Sequence, residues 1–205
     1  MTTDTIDIAP KLRGRPREFD LDSALDEALR VFSERGYYAA SISELTEAMG
    51  LTAGSVYKAF GDKRGVFLAA FDRYRHVRQQ LIDDCLAEAA NGYEKLHALV
   101  RFFAEASCGE IGRRGCLVVG SATELALFDE EVAGRVSVAF DFDERRILDL
   151  IRLGQADGSV AKHVDAEAVA CAMLCLTKGM RVVGKTGRKH DHMLAVAETA
   201  MKLLN

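Results

Sequence analysis

The chain has 205 residues, with 27 lysines and arginines against 31 aspartates and glutamates, a formal charge of −4, and 49% apolar residues. That length suits one large domain or two small ones, and the apolar fraction excludes whole-chain disorder. The acidic balance excludes a histone-like protein but leaves local basic patches open. No apolar run approaches the ~18 residues of a membrane span. The five cysteines contain no Cys-x-x-Cys pair, so a reducing, cytoplasmic setting is expected and a disulfide framework is not. The first ten residues carry Asp4 and Asp7 and no apolar block, and do not read as a signal peptide.

Residues 1–17 read as a flexible basic arm, with Lys11, Arg13, Arg15 and Arg17 and both prolines, Pro10 and Pro16. Everything after the arm is free of proline, which permits long helices. Leu21, Leu25, Ala28, Leu29 and Phe32 recur at helical spacing, and Gly36 suits the helix stop. Ser41 with Glu44 predicts a capping box for a short second helix, ended by Gly50. Thr52 can cap a third helix to about Phe60. Gly61-Asp62 makes the next turn, and a long helix is expected from Lys63 with Val66, Phe67, Ala70, Phe71, Tyr74, Val77 and Leu81 inside.

Asn91-Gly92 predicts another turn, followed by a helix carrying Leu96, Leu99, Val100 and Phe103. Arg113-Arg114-Gly115 should break the chain before a helix from Cys116 to Leu127. Asp129, Asp165 and Asp191 are expected caps of the last three helices. The fold class is therefore all-α, with about nine helices. A three-helix unit at 18–64 precedes a helical domain at 65–205.

Two short helices around Gly50 describe a helix-turn-helix. At 100° per residue, Val56, Ala59 and Phe60 point inward, while Gly54, Ser55, Tyr57 and Lys58 form a small, polar, aromatic and basic outer face. Such a face suits a DNA major groove. Lys63 and Arg64 stand in the first turn of a helix, where the macrodipole disfavours cations, and a phosphate would compensate them. The helix starts at Ser41 and Thr52 are further phosphate positions.

In order and spacing, Arg15-Pro16-Arg17, Gly36-Tyr37, Ser41-Ile42, Ala48-Met49-Gly50, Ser55-Val56-Tyr57-Lys58-Ala59-Phe60 and Gly61-Asp62-Lys63 resemble the N-terminal domain of the TetR/AcrR-type family of transcriptional repressors. The likeness extends to one C-terminal subgroup through Arg114-Gly115-Cys116-Leu117-Val118-Val119 and Lys178-Gly179-Met180-Arg181-Val182-Val183. It implies a homodimer, a palindromic double-stranded operator and a small-molecule inducer in the C-terminal domain. It also implies a regulator that is not an enzyme and needs neither cofactor nor membrane.

On this reading the DNA-binding residues are Arg13, Arg15, Arg17, Ser41, Thr52, Gly54, Ser55, Tyr57, Lys58 and Lys63. The candidate pocket residues are Phe71, Tyr74, Phe102, Phe103, Cys116, Thr123 and Phe140. The dimer is read independently from the residues. Ala168–Leu176 is apolar at every position, so that helix is buried on more than one side. The last helix adds a broad apolar stripe, giving Leu174, Met180, Val196 and Met201 as interface candidates.

Cys116 follows two arginines at a predicted helix start, an environment that favours the thiolate and a sensor role. A small residue lining the cavity is the other reading. His190-Asp191-His192 reads as a solvated helix start rather than a metal site, and Asp141, Asp143 and Glu144 as a charged outer face. Cys171 and Cys175 read as small core residues. The rival to a regulator is an α-helical ligand-binding protein or enzyme in which the helix pair is a mere corner.

Overall fold

The computed structural model describes residues 20–204; the arm with Arg13, Arg15 and Arg17 lies outside the described residues. Ten α-helices and no strand occur among the described residues: α1 Leu21–Arg35, α2 Ile42–Met49, α3 Ala53–Phe60, α4 Lys63–Ala87, α5 Gly92–Glu105, α6 Gly109–Arg114, α7 Leu117–Glu124, α8 Glu130–Asp157, α9 Ala166–Gly184 and α10 His190–Met201. The six-residue α6 adds one helix to the expected set, built just before the predicted break at Gly115.

The caps follow the sequence closely. Asp20, Ser41, Thr52, Asp62, Asn91, Asp129 and Asp165 each accept a backbone N–H at the start of their helix. Three expectations fail. α7 stops at Glu124, because Leu125 and Ala126 both donate back to the Ser121 carbonyl and tighten the turn. α10 starts behind Lys189, which makes no side-chain cap, and places Asp191 in the first turn instead. Leu81 is half exposed and Ile82 takes the buried position.

Two cores hold the chain. The first joins α1 to the first half of α4 and continues into Leu117, Val118, Leu125, Val132, Val136 and Ala139 of the α7–α8 region. Phe32 and Phe67 meet there edge to face, with ring centroids 5.1 Å apart. The second core packs α5, the end of α8, α9 and α10 around Leu99, Ile151, Met173 and Ala197. The helices α5 and α8 touch through their glycines: a Cβ on Gly92 would lie 2.1 Å from the Gly154 nitrogen. α4, roughly 37 Å long at 1.5 Å per residue, begins against the first core and ends beside the second.

Polar bonds tie the halves together where α1 turns into α2. Glu124, the last residue of α7, accepts the Tyr37 and Tyr38 N–H groups at 3.2 and 3.0 Å. Gly36 is favoured by its φ of +81°, and a Cβ there would press on the Glu124 carboxylate at 2.9 Å. Arg64 forks onto Asp129 at 2.7 and 2.9 Å and reaches Glu131 at 2.7 Å, joining the start of α4 to the start of α8. The Arg64 hydrogen bond holds the Asp129 carboxyl down at about 2.

Candidate nucleic-acid interface and effector cavity

α2 and α3 form the expected helix-turn-helix. Gly50 takes the left-handed conformation, φ 64° and ψ 28°, that the tight stop needs. Val56 is fully buried and fixes α3 on the core. Thr52, Ala53, Gly54, Tyr57, Lys58 and Ala59 face outward. Ala59 therefore joins the exposed face rather than packing inward. The exposed stretch runs through successive residues because α3 rests on the core along a narrow edge, and Phe60 at its end is only partly covered.

The helix starts differ in their availability. At Thr52 the hydroxyl oxygen accepts the Ser55 N–H at 3.2 Å and lies 2.9 Å from the Ser55 hydroxyl, and no acid stands in that first turn. At Ser41 the Glu44 carboxylate already takes both the backbone N–H and the hydroxyl, at 3.0 and 2.9 Å. Those bonds keep the Glu44 carboxyl below its ordinary range. A phosphate at Ser41 would meet that negative charge, so Thr52 is the better anion position of the two.

Lys63 and Arg64 both find partners within the chain at the fourth helix start. Lys63 donates to the Tyr37 and Ala40 carbonyls at 2.9 and 3.0 Å and lies over the Tyr37 ring. Arg64 is held by Asp129 and Glu131. Both cations thus have acceptors inside the chain, and Lys63 ties down the α1–α2 turn.

Cavities gather where α4 meets α6, α7 and α9. One of about 150 Å³ is walled by Leu29, Tyr74, Arg78, Ile111, Gly115 and Arg181. A smaller one of about 40 Å³ shares Tyr74 and Arg78 and adds Phe103, Cys116, Asp143 and Lys178. A third, of about 280 Å³, opens between α1 and α7 beside Tyr37, Arg114, Cys116 and Glu124. Cys116 is the N-cap residue of α7, and its sulfur accepts the Tyr74 hydroxyl at 3.2 Å. Burial pushes its thiol up, but the Arg181 charge, the Tyr74 hydroxyl, the Val119 N–H and Arg78 together outweigh it, and the net direction is down.

The arginines that act on Cys116 are thus Arg181 and Arg78, remote in sequence. The neighbouring Arg114 pairs with Glu34 at 3.4 Å. Burial and the nearby Cys116 push the Tyr74 phenol well up, so it stays a proton donor.

The N-terminal part, residues 24–70, matches the family model described as bacterial regulatory proteins of the tetR family. Residues 92–200 match that of the tetracyclin repressor-like C-terminal domain. The HTH-type transcriptional repressor ComR of Escherichia coli K12 is 30% identical over 212 residues, covering 99% of this chain and 97% of the relative. The transcriptional regulator AcuR of Cereibacter sphaeroides is 29% identical, covering 96% and 94%. Among solved structures, a cysteine-substituted TetR family regulator, CifR, in complex with a 26-bp double-strand operator DNA, has a TM-score of 0.83 and 34% identity, covering 94% of this chain and all of that one.

The chain belongs to the TetR family. It is a DNA-binding transcriptional regulator of that family, with the helix-turn-helix in α2–α3 and the C-terminal helical domain behind it.

Within this TetR-family frame the structure divides the expected pocket residues. Tyr74, Phe103 and Cys116 line the cavities. Phe102 lies under the Arg78 guanidinium, 4.8 Å from ring centre to cation. Phe71 is fully buried in the first core and lines none of these three cavities, and Phe140 packs on that core below Lys178. Thr123 is exposed and donates to its own helix carbonyls at Val119 and Gly120. Arg78, Arg181 and Lys178 escaped the sequence reading. A charge at 181 amid the apolar Met180, Val182 and Val183 was the available signal.

The interface candidates divide too. Met180 and Met201 are buried in the second core, and Leu174 is half-buried against it. Val196 is exposed, together with Leu176, Val182, Val183 and Leu203. Cys171 and Cys175 are also exposed, on the outer side of α9. α9 thus turns Ala170, Met173, Thr177 and Met180 inward. It leaves Ala168, Ala172, Cys175, Leu176 and Val183 outside, an apolar stripe at helical spacing.

Proposed function

We propose that this TetR-family regulator binds palindromic double-stranded operator DNA as a homodimer and leaves it when a small molecule, or a modification of Cys116, occupies the α4–α7 junction. The observation that supports it most is the outward face of α3, with Thr52, Gly54, Tyr57 and Lys58 on a helix anchored by Val56. Residues 1–17 act as a basic arm, 18–64 as the DNA-binding unit and 65–205 as the effector and dimerisation unit. The protein works in the cytoplasm, and two copies pair through the apolar faces of α9 and α10. Cavity occupancy shifts the dimer away from the ~34 Å spacing of successive major grooves. Fluorescence anisotropy on genomic fragments tests the reading; a protein that retains no fragment over bulk DNA refutes it.

Lys58→Ala should relax base preference at one operator position and lose ~1–3 kcal/mol there. Lys63→Ala should leave the slope of log affinity against log salt unchanged, because its ammonium serves the Tyr37 and Ala40 carbonyls. Its cost falls on stability, about 1–3 kcal/mol for lost bonds from a charged donor. Titrations at four salt concentrations and a thermal melt check both. A slope reduced by about one would return Lys63 to the phosphate backbone.

Cys116 should be the fastest thiol to react with iodoacetamide at pH 7. Its neighbours from α4 and α9 are Tyr74, Arg78, Lys178 and Arg181, with Asp143 of α8 taken by Lys178. Cys85 and Cys108 are pushed up by burial and by Glu105. Since the thiolate is the nucleophile, the depressed group reacts first. Cys116→Ser should bind operator but no longer release it on alkylation. Site-resolved mass spectrometry decides the order, and equal rates for Cys116 and Cys85 would remove the sensor role.

A further inference from the structure

Arg181 exposes only 2% of its surface and is the one charged side chain fully buried among the described residues. Its Nη2 donates to the Gly115 carbonyl at 2.5 Å, while its Nε and Nη1 have no hydrogen-bond partner. The Nη2 of Arg78 is buried and unpartnered as well. Both residues wall the cavity of about 150 Å³ between α1, α4, α6 and α9.

Among the described residues no carboxylate answers these donors. Asp26, the single acid on that wall, is held bidentately by Arg73 at 3.1 and 3.0 Å. Asp143 belongs to Lys178, and Glu34 to Arg30 and Arg114. The Cys116 sulfur accepts from Tyr74, and neither guanidinium donates to it. Buried charged donors left unmet are costly and uncommon unless a partner completes them.

We propose that the effector is a small organic carboxylate, its acid group clamped by Arg181 and Arg78 and its hydrocarbon part lying against Leu29 and Ile111. A guanidinium presents its N–H groups as a planar fork that matches a carboxylate bidentately. The apolar walls favour an acid with a short hydrocarbon body over a bare inorganic anion. The inference rests on the effector-released regulator proposed above and names the chemistry of its ligand. The cavity adjoins α1 through Asp26, Leu29, Arg30 and Ser33. An acid drawn in between α4 and α1 therefore acts directly on the first helix of the DNA-binding unit.

The test is thermal unfolding of the full chain with sodium benzoate and sodium butyrate. Benzamide and butyramide serve as neutral isosteres, sodium chloride as the ionic-strength control, and methyl phosphate as the other oxyanion. Binding to the folded state should raise Tm by about 3–5 °C at ten times Kd. Either acid should do so, and the amides and chloride should not. Arg181→Gln and Arg78→Gln should abolish the shift. Arg78 is only partly buried, so its variant keeps the test decisive if the Arg181 variant fails to fold.

Equal shifts from acids and amides, a response to methyl phosphate alone, or no shift with any acid would each overturn the carboxylate site. Operator retention is measured in parallel. Acids that raise Tm without releasing DNA leave the site standing and defeat the release mechanism. Release by thiol reagents with the acids silent defeats the site and leaves the regulator.

Discussion

Leu176→Arg together with Val196→Arg should convert the protein to a monomer that binds its operator about 10²–10⁴-fold more weakly, the factor lost when two linked half-site contacts become one. Both side chains are exposed, at 37% each, so their replacement leaves the second core intact. The same walls, with Ala195, Thr199 and Leu203, surround a shallow hollow of about 330 Å³ between α9 and α10. An apolar face of that kind, self-complementary about a two-fold axis, is what an isologous dimer requires. Charges placed on it meet their own copies across the axis. Sedimentation velocity gives the mass and anisotropy the affinity; a double variant that remains dimeric removes this face from the assembly. Met201→Arg is the wrong probe, since Met201 is 2% exposed inside its own subunit and a charge there would unfold the domain.

Gly92→Ala should lower stability by about 3 kcal/mol, the upper part of the range for overpacking a filled site. The new Cβ would meet the Gly154 nitrogen and Cα at 2.1 and 2.4 Å and the Leu150 carbonyl oxygen at 2.8 Å. All three are backbone atoms, so no side chain can swing aside. Separating α5 from α8 would also strain the Gly92 N–H bond to Asp157, now 2.7 Å. For a chain of this size the loss corresponds to a Tm lower by about 6–12 °C. Gly134→Ala is the control. Gly134 is exposed inside α8 with open space around its Cβ position, and alanine there should stabilise by about 0.5–1 kcal/mol. A Gly92→Ala melt equal to that control would show that α5 and α8 can part at little cost.

The caps and the helix-turn-helix were readable because their causes are local. Ser41, Thr52 and Asp129 each bond a backbone N–H three residues on, a distance that sequence spacing measures directly. The internal partners of Lys63 were hidden for the complementary reason. These carbonyls lie 26 and 23 residues away, and only the folded turn brings them to the helix start. The proposed carboxylate site is less local still. Arg78 and Arg181 come together from α4 and α9, and neither carries a motif. On α9 the composition predicted burial on more than one side, whereas the chain by itself covers one side, and the sequence pattern did not tell the core-facing Met180 from the outward Val183. Both fit an apolar helix, and only the position of α8 beneath α9 separates them.

The first core, which crosses from α1–α4 into α7 and α8, bears on how such regulators can be recombined. Its closure depends on Leu117, Leu125, Val132 and Val136, all supplied by the C-terminal half. A fragment ending with α4 would therefore open the side of the core that holds Phe32 and Phe67, and should aggregate rather than fold. Swapping the reading head for another operator specificity cannot be done by cutting at the chain boundary near Arg64. The graft must carry the surface that receives α7 and α8, including Gly36 and the two N–H groups that meet Glu124. On the proposed reading, specificity should be exchangeable at the level of the outer α3 side chains, because the domain beneath them is not a separable part.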